Sequence, residues 1–110
     1  MSEQSTGMNT IVHVLFVDIV GYSRESVGNQ SALIQRLSNA IQNAPTYLGA
    51  KSAGHVHALA TGDGSAIVFT NEVDSPARCA LELASSLGDG IPVRMGIHSG
   101  LVQRQTDING

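Results

Sequence analysis

From Ile11 to Val17 the chain is almost all β-branched or apolar, and the run stops on Asp18. That pattern predicts a buried strand over about 10–18, followed by a loop or short helical turn at 22–28. Leu33, Leu37, Ala40, Ile41 and Ala44 then recur at three- and four-residue steps, which predicts a helix over about 29–44 that ends at Pro45. Beyond a Gly/Ala/Lys/Ser stretch, Val56, Ala58 and Ala60 alternate with His55, His57, Leu59 and Thr61. Gly62-Asp63-Gly64 turns that strand into Ser65–Phe69, a hairpin signal. A second helix is expected over about 74–87, with Asp74 or Ser75 as cap, Pro76 in its first turn and Ala80, Leu83, Ala84 and Leu87 as its stripe. Gly88-Asp89-Gly90 stops it. A fourth strand runs from Val93 to His98, and Ser99-Gly100 is expected to turn it into a short fifth, Leu101–Arg104. The order is β–α–β–β–α–β–β. The expected class is α+β, a ferredoxin-like βαββαβ sheet of antiparallel type with helices on one face.

Composition narrows this. Hydrophobic residues make up 42% of the 110, with two Phe, two Tyr and no Trp, so the core must be mainly aliphatic. A domain this small buries proportionally little surface and would gain from a dimer interface. The net charge of −3 and the lack of any Lys/Arg cluster exclude a general affinity for nucleic acid polymers. The lone Cys79 falls on the apolar face of a helix and reads as a buried structural thiol suited to a reducing compartment. No apolar stretch approaches the ~20 residues that span a bilayer, and Met1–Asn9 lacks signal-peptide character. The expected arrangement is a disordered tail at 1–9 and one domain at 10–110, in the cytoplasm.

Two carboxylates carry the candidate chemistry. Asp18 closes the first strand, where an α/β fold tends to bind phosphate and metal and where the backbone N–H groups of Val20, Gly21, Tyr22 and Ser23 follow. Asp63 sits in the hairpin turn. Strands one and three are neighbours in a ferredoxin-like sheet, so the two carboxylates can meet at one edge. Such a hard-oxygen pair suits Mg²⁺ or Mn²⁺ with substrate phosphates as further ligands. Without a metal the two charges would repel. The plainer alternatives are that Asp63 merely forms a turn and Asp18 merely caps a helix. The histidines carry less: His98 reads as structural, His13 as facing away from the core, and His55 and His57 as two metal donors without a third.

Three blocks carry a resemblance: Phe-Val-Asp-Ile-Val-Gly-Tyr-Ser at 16–23, Thr-Gly-Asp-Gly-Ser-Ala-Ile-Val-Phe at 61–69 and Val-Arg-Met-Gly-Ile-His-Ser-Gly at 93–100. In order and spacing they resemble the class III adenylate/guanylate cyclase catalytic domain, and Asp-Ile-Asn-Gly at 107–110 looks like a fourth block. The resemblance implies an enzyme that converts a nucleoside triphosphate to a 3′,5′-cyclic nucleotide and pyrophosphate, at the interface of a head-to-tail homodimer. It implies two divalent ions, Mg²⁺ or Mn²⁺, on Asp18, Ile19 and Asp63. Residues Ile19 to Ser23 would bind substrate, Arg94 would contact the triphosphate, and Asp107 would read the base from the opposite protomer.

Two departures qualify what the resemblance implies. Leu59 stands where adenylate cyclases carry a purine-reading lysine, four residues before the second metal aspartate, and the guanylate cyclase Glu is absent too. The nucleoside triphosphate is therefore open, with pyrimidine cyclases of bacterial anti-phage signalling among the alternatives. The family's transition-state Asn and Arg would fall beyond Gly110. This sequence thus corresponds to the N-terminal part of such a domain and is expected to have little turnover alone. The rival readings are a cyclase-homology module that dimerises or senses nucleotide without catalysis, and a ferredoxin-like interaction domain without a nucleotide site.

Overall fold

The computed structural model describes the backbone of residues 7–105 and the side chains of residues 10–102. In β1 (Gly7–Ile19) the odd residues His13, Leu15, Val17 and Ile19 turn inward and the even ones outward, the two-residue period of a strand covered on one side. A 3-10 turn, Tyr22–Arg24, leads to α1 (Val27–Asn43), whose N-cap Ser26 accepts from the Asn29 N–H at 3.2 Å. Then come α2 (Pro45–Ser52), the hairpin β2 (Val56–Ala60) and β3 (Gly64–Phe69), α3 (Ser75–Leu87) and β4 (Val93–Gln105).

The strands lie in the order β2-β3-β1-β4, every neighbour antiparallel. β1 is therefore central, and each helical connection joins two parallel strands with another strand between them, the split βαβ of the ferredoxin-like class. The helices pack on one face. Leu37 and Ile41 from α1, Cys79, Leu83 and Leu87 from α3, and Tyr47 from α2 cover Leu15, Val17, Ile67 and Phe69. The core is aliphatic apart from Phe69 and Tyr47. Burying a side chain such as Leu15, 0% exposed, contributes about 2–3 kcal/mol. Cys79 is likewise 0% exposed, and burial, then the Glu82 charge, pushes its thiol up to about 12. Among the described residues no helix is long and apolar enough to cross a membrane.

Four expectations need correction. Pro45 ends α1 but also starts α2, at a position where its missing N–H costs nothing. The Glu82 carboxylate accepts from the Thr46 N–H at 2.9 Å and hydroxyl at 2.7 Å, closing that helix start from α3. There is no separate fifth strand: β4 runs straight through Ser99 and Gly100, because Gly7–Val12 extend β1 and give Gly100–Gln105 a partner. For the same reason the last three residues of the expected tail, Gly7–Asn9, are strand. Finally, His13 faces inward, 8% exposed, and its Nδ1 lies 2.6 Å from Ser99 Oγ.

Candidate functional site

Asp18 occupies an even position on β1, so its side chain projects from the sheet face that no helix covers. It is half-buried there. Its register partners are Gly64 on β3 and Arg94 on β4, so one row across the sheet reads Gly64–Asp18–Arg94. Asp63 immediately precedes Gly64 and is exposed. Its carbonyl accepts the Ile19 N–H at 2.9 Å, while the Val20 N–H donates to the Pro92 carbonyl at 2.9 Å. The end of β1 is thus held from both sides, by the hairpin turn and by the segment before β4.

Gly64 makes this approach possible. A Cβ there would stand 1.8 Å from the Val17 carbonyl oxygen, backbone that cannot move aside. Any larger residue would push the hairpin, and Asp63 with it, off β1. Gly21 supplies the next turn: its φ of 75° is left-handed, and it caps the 3-10 turn with its carbonyl accepting from the Arg24 N–H. The Arg24 guanidinium folds back over Gly21, where an added Cβ would lie 2.8 Å from it.

The Val20 N–H is spent on Pro92. Among the described residues the N–H groups of Gly21, Tyr22 and Ser23 have no backbone or side-chain acceptor, which leaves three donors beside two carboxylates. Nor do Asp18, Asp63, Arg24 or Arg94 form an ion pair with another described residue; the pairs present join Arg78 to Glu72 and Asp74. Two carboxylates, three N–H donors and two guanidinium groups therefore gather at one end of the sheet without neutralising one another. That donor set fits a divalent cation with a polyphosphate on it. No cluster of three His, Cys, Asp or Glu occurs among the described residues, so a metal held here would take its remaining ligands from backbone, water or substrate.

Leu59 lies on the same open face one row away, in the row Leu59–Ala66–Phe16–Gly96, and is 57% exposed. Asp107 lies outside the described residues. His57 and His98 are exposed on the open face, at opposite ends of a row that also holds Val68 and Val14. They are separated by two strands and form no site. The sequence pattern does not single out Arg24 or Gly64. The signal for Arg24 is a cation directly after the Gly-Tyr-Ser loop.

No protein-family model matches this sequence, and no curated protein matches it. Among solved structures, the chain resembles a bacterial light-regulated adenylyl cyclase with a TM-score of 0.67 and 18% identity, over 86% of this chain and 55% of that one. It also resembles the guanylyl cyclase Cya2 with a TM-score of 0.54 and 21% identity, over 90% of this chain and 58% of that one. The likeness is one of fold: the chain shares the α+β fold of these two cyclases. The chain spans little more than half the length of either cyclase.

Proposed function

We propose that this chain is the metal-binding portion of a class III nucleotidyl cyclase domain that acts on a nucleoside triphosphate. The observation that carries the reading is the Gly64–Asp18–Arg94 row with Asp63 at its edge. Asp18 and Asp63, with the Ile19 carbonyl, would hold two divalent ions, Mg²⁺ or Mn²⁺. When bound, such ions lower the pKa of the attacking ribose hydroxyl and clamp the triphosphate. The N–H groups of Gly21, Tyr22 and Ser23 would take phosphate oxygens, and Arg94 would balance the triphosphate charge. The open face also carries exposed Phe16, Leu59 and Val102, which supports a homodimer closing over it with each site completed by the partner.

Leu59 favours two narrower readings. Leucine has no donor for a ring nitrogen, so the base is either read by other groups, as in a pyrimidine-nucleotide cyclase, or not read because the domain senses nucleotide without turning it over. The test is calorimetric titration of ATP, GTP, CTP and UTP in Mn²⁺, with cyclic product measured in parallel. Mn²⁺-dependent binding of at least one triphosphate, weakened at least ~tenfold in Asp18→Asn, is the expected result. Because this chain alone is expected to turn over little, product is measured with a version extended past Gly110 as well, and binding without product from both selects the sensing module. No Mn²⁺-dependent binding, or binding untouched in Asp18→Asn, removes the metal-site assignment.

A further inference from the structure

On the helix-covered side of the sheet, β2 is only partly roofed. Val56 is buried beneath α2, but Ala58 and Ala60 are exposed. They are too short to reach Ile34 and Ile41 on α1, and a cavity of about 300 Å³ remains between strand and helix. That volume lies at the small end of ligand-binding cavities. None of its lining residues is charged, which sets it apart from the carboxylate and guanidinium site on the opposite face. Tyr47 also lines it. This residue is 7% exposed, and its hydroxyl makes no hydrogen bond to any described residue. Buried tyrosines normally find a partner for that group.

Ser38, Gln42 and Ser65 add neutral polar groups to the apolar wall of Ile34, Leu37 and Ile41. We infer that the cavity binds a neutral small molecule with an apolar body against that wall and an oxygen acceptor for the Tyr47 hydroxyl. A charged ligand would find no counter-charge here, and a half-open space of about 300 Å³ matches the size of a small molecule. The cavity also reaches the functional end of the sheet. Gly64 and Ser65 form part of its wall, Ser65 Oγ donates to the Leu59 carbonyl at 3.2 Å, and Gly64 is wedged against β1. An occupant braces the hairpin that positions Asp63 against Ile19. Its effect on a metal site rests on the functional reading above; the binding itself does not.

The test uses the ¹⁵N-labelled chain without metal or nucleotide, with 1-indanone as the probe. Saturable amide shifts are expected at Ala58, Ala60 and Ser65, half-complete below ~1 mM. A shift is also expected at Ile19, through its bond to the Asp63 carbonyl. Tyr47→Phe should raise the half-saturation point ~5–10-fold, the loss of one buried hydrogen bond. Ala60→Leu, made from an exposed position that fills the space, should abolish saturation, and indane-1-carboxylate should bind at least ~tenfold more weakly. Absence of saturation, or both variants binding as the parent does, overturns the site. So do the same shifts arising from protein concentration alone, which would put a second copy there. Equal binding of the carboxylate overturns the ligand class, and binding without an Ile19 shift overturns the coupling. Failure of the cyclase reading would leave every one of these readouts unchanged.

Discussion

Along β1 the inward residues His13, Leu15, Val17 and Ile19 are 8%, 0%, 0% and 3% exposed, whereas Phe16 between them is 43% exposed and Asp18 is half-buried. Two functions are thus interleaved on one strand. The odd positions exclude water and hold the sheet to its helices. The even positions present side chains that packing does not require, and among them a carboxylate stands without a protein partner among the described residues. A slip of one residue would exchange the two sets, exposing Leu15 and Val17 and burying Asp18. The register that gives the domain its core is therefore also what puts Asp18 beside Gly64 and Arg94.

The sharpest way to break this arrangement is at the contact both faces share. Gly64→Ala places a Cβ 1.8 Å from the Val17 carbonyl, and we expect it to cost more than ~3 kcal/mol or to prevent folding. Gly62, with open space around it, is the control and should lose less than ~1 kcal/mol on substitution by Ala. Urea unfolding measures both. Equal midpoints would mean that the hairpin does not depend on close approach to β1. Next in size, Leu15→Ala should cost about 3 kcal/mol, because it leaves a cavity in a fully buried row. Phe16→Ala, one residue along, should cost under ~1.5 kcal/mol despite the larger side chain removed. If the two losses match, the faces are not distinct.

Cys79 extends the comparison to pH. Burial holds its thiol at about 12 against an ordinary 9.0. Below pH 9 the thiol is protonated in both states, and its contribution to stability is complete. Between pH 9 and 12 the unfolded chain loses this proton while the folded one keeps it, so stability falls as pH rises, by at most ~1.4 kcal/mol per unit. By pH 10.5 the loss should be about 2 kcal/mol. Cys79→Ala should flatten that slope, which chemical unfolding at pH 8, 9.5 and 10.5 would show. On the open face, Asp18→Asn should leave the urea midpoint within ~0.5 kcal/mol of the parent while weakening Mn²⁺-dependent nucleotide binding at least ~tenfold. A large stability loss would instead make Asp18 a structural residue.

The alternation along β1 and β3, the stripes of α1 and α3 and the Gly-Asp-Gly turn are all local patterns, and they were enough to assemble the ferredoxin-like order and bring Asp18 and Asp63 to one edge. What escaped depends on partners far along the chain. The start of α2 is closed by Glu82, 36 residues from Thr46. His13 can face inward because Ser99, 86 residues away, meets its ring. Ser99-Gly100 has turn chemistry, yet five residues of β1, Gly7–Ile11, pair with the strand beyond it and keep it extended. Gly64 resembles any turn glycine until β3 is laid against β1. In the candidate site, Asp18 and Asp63 stand out as carboxylates at element ends, whereas Arg24 becomes apparent only when its side chain is seen folded over Gly21.

The smallest effect on stability, and the most selective on function, is expected at Leu59. It is 57% exposed on the open face, so Leu59→Lys removes little buried surface and should move the unfolding midpoint by under ~0.5 kcal/mol. The row Leu59–Ala66–Phe16–Gly96 is otherwise apolar and lies directly beside the row that holds Asp18. A lysine there adds a donor at the same level of the sheet as the candidate phosphate and metal groups. If a base is seated over this row, the variant should gain affinity for ATP relative to CTP and UTP by about tenfold, the worth of one charge-assisted hydrogen bond to a ring nitrogen. Competition titrations in Mn²⁺ separate that outcome from a general gain, because the added positive charge alone would strengthen all four triphosphates equally. An equal gain would place the base elsewhere and leave the open face as a site for phosphate and metal only.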